Sequence, residues 1–293
     1  MQQIKFYSSI NGELSAGGRA ARLLQDRGLF YGHGLFESMA LQSAQVPLLA
    51  EHLHRLYEDA PKLGINLQAG SVESCLEPFI AALMADGLQT CVIKIIVTAG
   101  VGGRGYQSPT PIKPRIICLS APMPEDMAAQ RTEGVSLWRC DYRLPVNSVL
   151  AGIKHLNRLD QVLARNEWQS SEFADGLMLT ADDNLVEAIS ANIFVNTENG
   201  WATPAINNAG VNGVMRKLLL EQIFAKAAIP VVSRTINAAE LTECKEIFIC
   251  NSIRGLLPVL AVRGSSHEFN LDLAIGAQTK MLQSCLRDNY VGF

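Results

Sequence analysis

The sequence predicts a mixed α/β (α+β) fold in two domains with a cleft between them, and three observations carry that expectation. Helical and β-rich runs occur in both halves of the chain. The 293 residues exceed the roughly 150 of one typical domain. Two prolines in Ala121-Pro122-Met123-Pro124 interrupt the pattern. The boundary is expected there, giving an N-terminal α/β domain over residues 1–121 and a C-terminal α/β domain over residues 122–293.

In chain order, residues 49–60 place Leu49, Leu53, Leu56 and Ala60 on one helical face, and Pro61 is expected to stop that helix. A second helical pattern covers 71–85 and tolerates Pro78. β-rich runs follow at 91–98 and 115–120. Between them, residues 99–114 hold four glycines and three prolines, and so long a loop inside a compact domain is usually functional or disordered. In the second half, 135–138 reads as a strand and 155–168 as a helix. Short strands are expected at 177–179 and 193–195, a helix at 213–228, a strand at 246–250 and a last helix at 271–287.

Apolar residues make up 48% of the chain and charged residues 18%, a composition that can bury a core and argues against disorder. A net charge of −3 gives no electrostatic reason to expect nucleic acid or an anionic membrane as partner. Met1-Gln2-Gln3-Ile4-Lys5 does not read as a secretory signal. Lys94 breaks one of the most apolar runs far short of the ~18 residues of a membrane span. The seven cysteines occur singly with no CxxC spacing, which suits reduced thiols in a cytoplasmic protein better than disulfides or a zinc site. No metal centre is expected.

Four stretches could carry chemistry. Lys154 follows a glycine and is flanked by Ile153 and Leu156. Partial burial there would lower its pKa and leave a nucleophilic amine, although a solvated lysine at a helix start fits the spacing as well. Glu187 enters the otherwise apolar Leu185-Val186-Glu187-Ala188-Ile189. Buried, it needs a cationic partner such as a pyridinium nitrogen; at a strand end it could simply face water. Asn208-Ala209-Gly210-Val211-Asn212-Gly213 precedes an amphipathic helix, so it offers either backbone N–H groups to a phosphate or an ordinary helix cap. Ile249-Cys250-Asn251-Ser252 ends a strand in a turn that could add donors for the same anion, with Arg55 as countercharge.

In sequence order, these pieces form a set. It comprises Tyr31-Gly32-His33-Gly34-Leu35-Phe36-Glu37-Ser38, His52-Leu53-His54-Arg55-Leu56, Lys154, Glu187 with Asn192-Ile193-Phe194, Gly210-Val211-Asn212-Gly213, and Pro258-Val259. The set resembles the class IV (fold-type IV) aminotransferase and lyase family of pyridoxal-phosphate enzymes, over about residues 30–260. Gly102-Gly103-Arg104-Gly105-Tyr106, Ala151 to Leu159 and Ala209 to Arg216 look like the 4-amino-4-deoxychorismate lyases within it.

The resemblance implies pyridoxal 5'-phosphate as cofactor, 4-amino-4-deoxychorismate as substrate and a homodimer with sites near the subunit interface. It makes Lys154 the catalytic lysine that holds the cofactor and carries the proton, and Glu187 the partner of the pyridine nitrogen. Arg55, Val211, Asn212 and Ser252 would hold the phosphate, with Asn251 beside them. Arg104 and Tyr106 on the long loop, together with Ser38, would face the substrate. His33 stands where the family often has an aspartate, and Ala40 where it often has an arginine. An aminotransferase, or a cofactor-binding protein without turnover, are the competing expectations.

Overall fold

The computed structural model describes residues 7–10, 13–16, 24–265 and 270–293, the first two stretches by their backbone alone. Strands β1 (Tyr7–Ile10) and β2 (Glu13–Ala16) pair antiparallel. A short helix α1 (Arg27–Tyr31) leads into β3 (Gly34–Leu41), followed by helices α2 (Leu49–Asp59) and α3 (Glu73–Ala85). Strands β4 (Cys91–Thr98) and β5 (Arg115–Ala121) complete an antiparallel sheet of order β3-β4-β5. The two helices bury Leu56, Val72 and Leu76 against Leu35, Met39, Ile93 and Ile95, one face of that sheet. The α-helix ends at Asp59, just before Pro61, as expected. Pro61 then falls in the first turn of a 3-10 segment, Ala60–Leu63, where a missing N–H costs nothing, and Gly64 terminates that segment with φ 72°.

The rest of the chain builds one nine-stranded sheet. Helix α4 (Met127–Glu133), β6 (Val135–Leu144), α5 (Leu159–Arg165), β7 (Phe173–Thr180), β8 (Leu185–Ala188), β9 (Asn192–Thr197) and β10 (Gly200–Pro204) come first. Helix α6 (Val214–Leu218) runs through a π turn, Leu219–Ile223, into α7 (Phe224–Lys226). Strands β11 (Val231–Arg234), β12 (Glu246–Asn251), β13 (Gly255–Gly264) and β14 (Leu271–Asp272) and helix α8 (Ala277–Asn289) finish it. The order is β11-β10-β9-β12-β13-β6-β7-β8, with β14 on β13. Both faces are covered. Phe194 and Phe248 stack at 4.8 Å beneath the α6–α7 and α8 helices, while their neighbours Ile193, Val195, Ile247 and Ile249 face a second apolar layer.

Two expected helices are shorter than the sequence suggests. The stretch 155–168 is helical only over Leu159–Arg165, because Lys154 and Leu156 are held by β3: Phe36 N donates to Lys154 O at 3.0 Å and Leu156 N to Gly34 O at 2.9 Å. In 271–287, Leu271-Asp272 is strand β14, paired to β13, and the helix starts at Ala277. Strand β13 went unread because Pro258 lies within it. Among the described residues no helix is long and apolar enough to cross a membrane.

Candidate active site

The alternation of β3 sorts its side chains by chemistry. Leu35, Glu37, Met39 and Leu41 are buried, and Glu37 meets the first long helix. Phe36 and Ser38 line a cavity of about 470 Å³, with Arg55 of α2; most of its other walls come from the large sheet and its loops. Glu37 is 1% exposed and accepts Arg55 Nε at 2.7 Å, Arg55 Nη2 at 2.6 Å and His52 Nδ1 at 2.7 Å. Burial opposes its charge, but Arg55 and His52 outweigh that and hold its pKa down, to about 2.

Lys154 lies on an extended strap. Gly152, with φ 85°, donates to Gly210 O at 2.9 Å and accepts Asn212 N at 3.0 Å, while Lys154 O accepts the Phe36 N–H. The lysine side chain enters the cavity, its Nζ 4.4 Å from the centre of the Phe36 ring. Burial lowers its pKa to about 8, helped by Arg55 and Arg158 and opposed by Glu37 and Glu187. About a tenth of the amine is therefore neutral and nucleophilic at pH 7, far more than for an ordinary lysine.

Glu187, on β8, also lines the cavity and is 3% exposed. Its Oε2 accepts Val211 N at 2.8 Å, and no described residue donates to its Oε1. Burial raises its pKa to about 7, against the pull of the Val211 N–H, Arg158 and Lys154. Arg158, another wall residue, is locked in place by Nε to His155 O at 2.8 Å and Nη2 to Ile153 O at 3.1 Å.

In this structure the N–H of Val211 is donated to Glu187 and that of Asn212 to Gly152, and Asn212 does not line the cavity. Gly213, Val214 and Met215, at the start of α6, also line the wall, and the first turn of a helix leaves N–H groups without intrahelical partners. Position 213 has no room for a side chain, since a Cβ would lie 1.9 Å from Asn192 Oδ1. Arg55 lines the cavity while giving Nη1 to Asn212 O at 2.9 Å and two further nitrogens to Glu37, which leaves an N–H on each terminal nitrogen for an anion. Ser252 lines the same wall, its Oγ donating to Ser38 O at 3.1 Å. Asn251 shapes the turn, accepting Ile253 N and Arg254 N and donating to Ser190 O.

The structure thus brings together Ser38, Arg55, Lys154, Glu187, Val211, Asn251 and Ser252. Arg104 and Tyr106 are not among them: both are exposed, Tyr106 at 89%, and neither lines the cavity of its own chain. Sequence reasoning assigned no role to three features. Glu37 was legible as an acid at the core parity of an apolar strand, and Arg158 as a charge just beyond the lysine. The third, Arg254 bound to Asp175 Oδ2 at 2.8 Å and Ser190 Oγ at 2.6 Å on the cavity wall, had no local signal, because its partners lie far apart in sequence.

A family model described as amino-transferase class IV matches residues 34–262. The chain is 32% identical to aminodeoxychorismate lyase of Vibrio harveyi over 265 residues, 90% of this chain and 94% of that one. The crystal structure of 4-amino-4-deoxychorismate lyase from Pseudomonas aeruginosa superposes with a TM-score of 0.84 at 36% identity, covering 99% of this chain and 100% of that one. D-alanine aminotransferase of Staphylococcus aureus is 27% identical over 282 residues, 94% of each chain. With Lys154 and Glu187 on the walls of one cavity in a mixed α/β fold, the chain belongs to the class IV aminotransferase family and is a pyridoxal-phosphate-dependent enzyme.

Proposed function

We propose that the chain is a 4-amino-4-deoxychorismate lyase, releasing 4-aminobenzoate and pyruvate for folate synthesis, and that it works as a cytoplasmic homodimer. The observation that carries the reading is Lys154 and the buried Glu187 facing one cavity, where burial lowers the lysine's pKa and raises the carboxylate's. The greater likeness to the two lyases supports lyase over aminotransferase.

The residues fit the cofactor. A buried Glu187 with one oxygen unengaged and a raised pKa is a carboxylate short of a cation, which a pyridinium nitrogen would supply. Lys154 would hold the aldehyde, and Arg55, Ser252 and the start of α6 would hold the phosphate. Bound there, pyridoxal phosphate supplies an electron sink for the carbon next to the substrate nitrogen.

The chain's own groups do the rest. Lys154 Nζ takes the ring proton beside the nitrogen and returns a proton to the departing enolpyruvate, two tasks that a pKa near 8 serves in turn. Glu187 offers its unengaged oxygen at the far end of the site, and Arg158 favours its ionised form against the burial that opposes it. Phe36 covers the amine and excludes water on that side. Ser38 would face the substrate. Arg104 and Tyr106, exposed on their own chain, would reach the substrate of the partner in the proposed dimer, the guanidinium pairing with a carboxylate.

Purified protein given aminodeoxychorismate and no keto acid should form 4-aminobenzoate and pyruvate in equal amounts. Exchange of amino groups between amino and keto acids, with neither product formed, would replace the lyase reading by the aminotransferase one. If Lys154 binds the aldehyde and no added amine displaces it, only cofactor binding would remain.

A further inference from the structure

The glycine-rich loop between β4 and β5 folds around a side chain from outside it. Arg27, first residue of α1 and 4% exposed, gives Nη1 to the carbonyls of Gly102 at 3.3 Å, Gly105 at 3.2 Å and Gln107 at 3.2 Å. Its Nη2 donates to Tyr106 O at 3.1 Å, and its backbone N–H to Gly100 O at 2.8 Å. Its Nε donates to His33 Nδ1 at 3.2 Å, so His33 carries its proton on Nε2 and donates it to Leu63 O at 2.8 Å. The Tyr31 ring lies 4.8 Å from the guanidinium carbon and 5.4 Å from the Tyr106 ring.

Carbonyls from a six-residue arc, Gly102 to Gln107, therefore converge on one cation. A planar guanidinium has the donors to serve them together; an ammonium presents three donors on a single atom. The loop is closed tightly about this group. At Gly103, with φ 79°, a Cβ would lie 2.0 Å from Gln107 O and 3.2 Å from Arg27 Nη1. The arc itself has no apolar core, since Gly102 to Tyr106 are all exposed. Its shape rests on the buried cation inside it.

We infer that Arg27 is a positioning residue for the substrate: it does not line the cavity, but it fixes the arc that presents Arg104 and Tyr106. The inference rests on the proposed substrate-facing role of that loop. It also gives His33 a task, as the neutral acceptor that orients the guanidinium from behind.

The test uses the holoenzyme with Arg27→Ala and Arg27→Lys, and two independent readouts. Trypsin cleavage after Arg104, followed by mass spectrometry, reports the order of the arc without any assay of activity. Steady-state kinetics with aminodeoxychorismate report presentation of the substrate. Both variants should keep the wild-type cofactor absorbance, cleave faster after Arg104, and raise KM about tenfold or more with a smaller change in kcat. Added methylguanidine should restore protection and lower KM for Arg27→Ala but not for Arg27→Lys, whose side chain fills the space. Unchanged cleavage in both variants would overturn the inference, as would wild-type KM and protection in Arg27→Lys. Faster cleavage with unchanged KM would overturn the substrate role and leave the lyase reading intact. If the wild-type protein does not turn over aminodeoxychorismate at all, that reading fails, and the positioning of substrate with it, whatever the cleavage shows.

Discussion

Glu37 sits between Leu35 and Met39 on the buried side of its strand, where a lone carboxylate would be ruinous. Arg55 and His52 make it tolerable, and removing one member of such a buried pair costs about 3–5 kcal/mol. Its folded pKa, about 2, lies below the ordinary 4.5, so its contribution is complete above pH 4.5 and disappears as the pH falls toward 2. Glu37→Gln should therefore lower the melting temperature at pH 7 and lose stability less steeply than wild type between pH 4.5 and 2. Parallel acid limbs in thermal melts of the two proteins would refute the assignment. The substitution also removes one of the two acceptors that hold Arg55, so the proposed phosphate site should change with it.

Lys154, the proposed cofactor lysine, depends on an element that periodicity misread. Hydrophobic spacing after Lys154 suits a helix, yet the strap from Gly152 to Leu156 spends its backbone groups on β3 and on the 210–212 turn, and a helix forms only at Leu159. Such pairings join residues more than fifty apart, and no local pattern encodes them. Elements buried by their own alternation, such as β4 and α2, were readable within a few residues. The short strands β8, β10 and β11 were not, since four or five residues carry too little pattern. Of the strap, the glycine was the legible part. Its φ of 85° costs a residue with a Cβ about 1–2 kcal/mol. Gly152→Ala should lose about that much stability and retain cofactor poorly on dialysis. Full retention at wild-type stability would show that the strap tolerates another course.

For the whole molecule, the exposed Arg104 and the cavity it does not reach make a prediction about assembly. In the proposed homodimer each loop would serve the partner's cavity, with the boundary between the proposed domains at 122–124 beside it, where Pro124 lines the wall. Lys154→Ala and Arg104→Ala chains should each be inactive or badly impaired as pure proteins. Mixed by unfolding and refolding together, they should recover about a quarter of wild-type activity, because half the dimers are hybrids with one intact site. No recovery, in a preparation shown by light scattering to contain hybrid dimers, would place Arg104 on its own chain's substrate. The cavity walls followed from motifs in the sequence, whereas the direction in which the loop faces is a property of tertiary packing that no motif spells out.

The strap has one more consequence, for how such a protein can diverge. It stitches β3 to the 210–212 turn at the same few residues that aim Lys154, so in the proposed reading the union of these two parts and the grip on the cofactor would be inherited as one trait. The glycine arc and the proline-flanked crossover touch that stitch nowhere in its hydrogen bonding. If the proposed site holds, a lineage could rework those outer segments and exchange one substrate for another while the chemistry at the seam is kept.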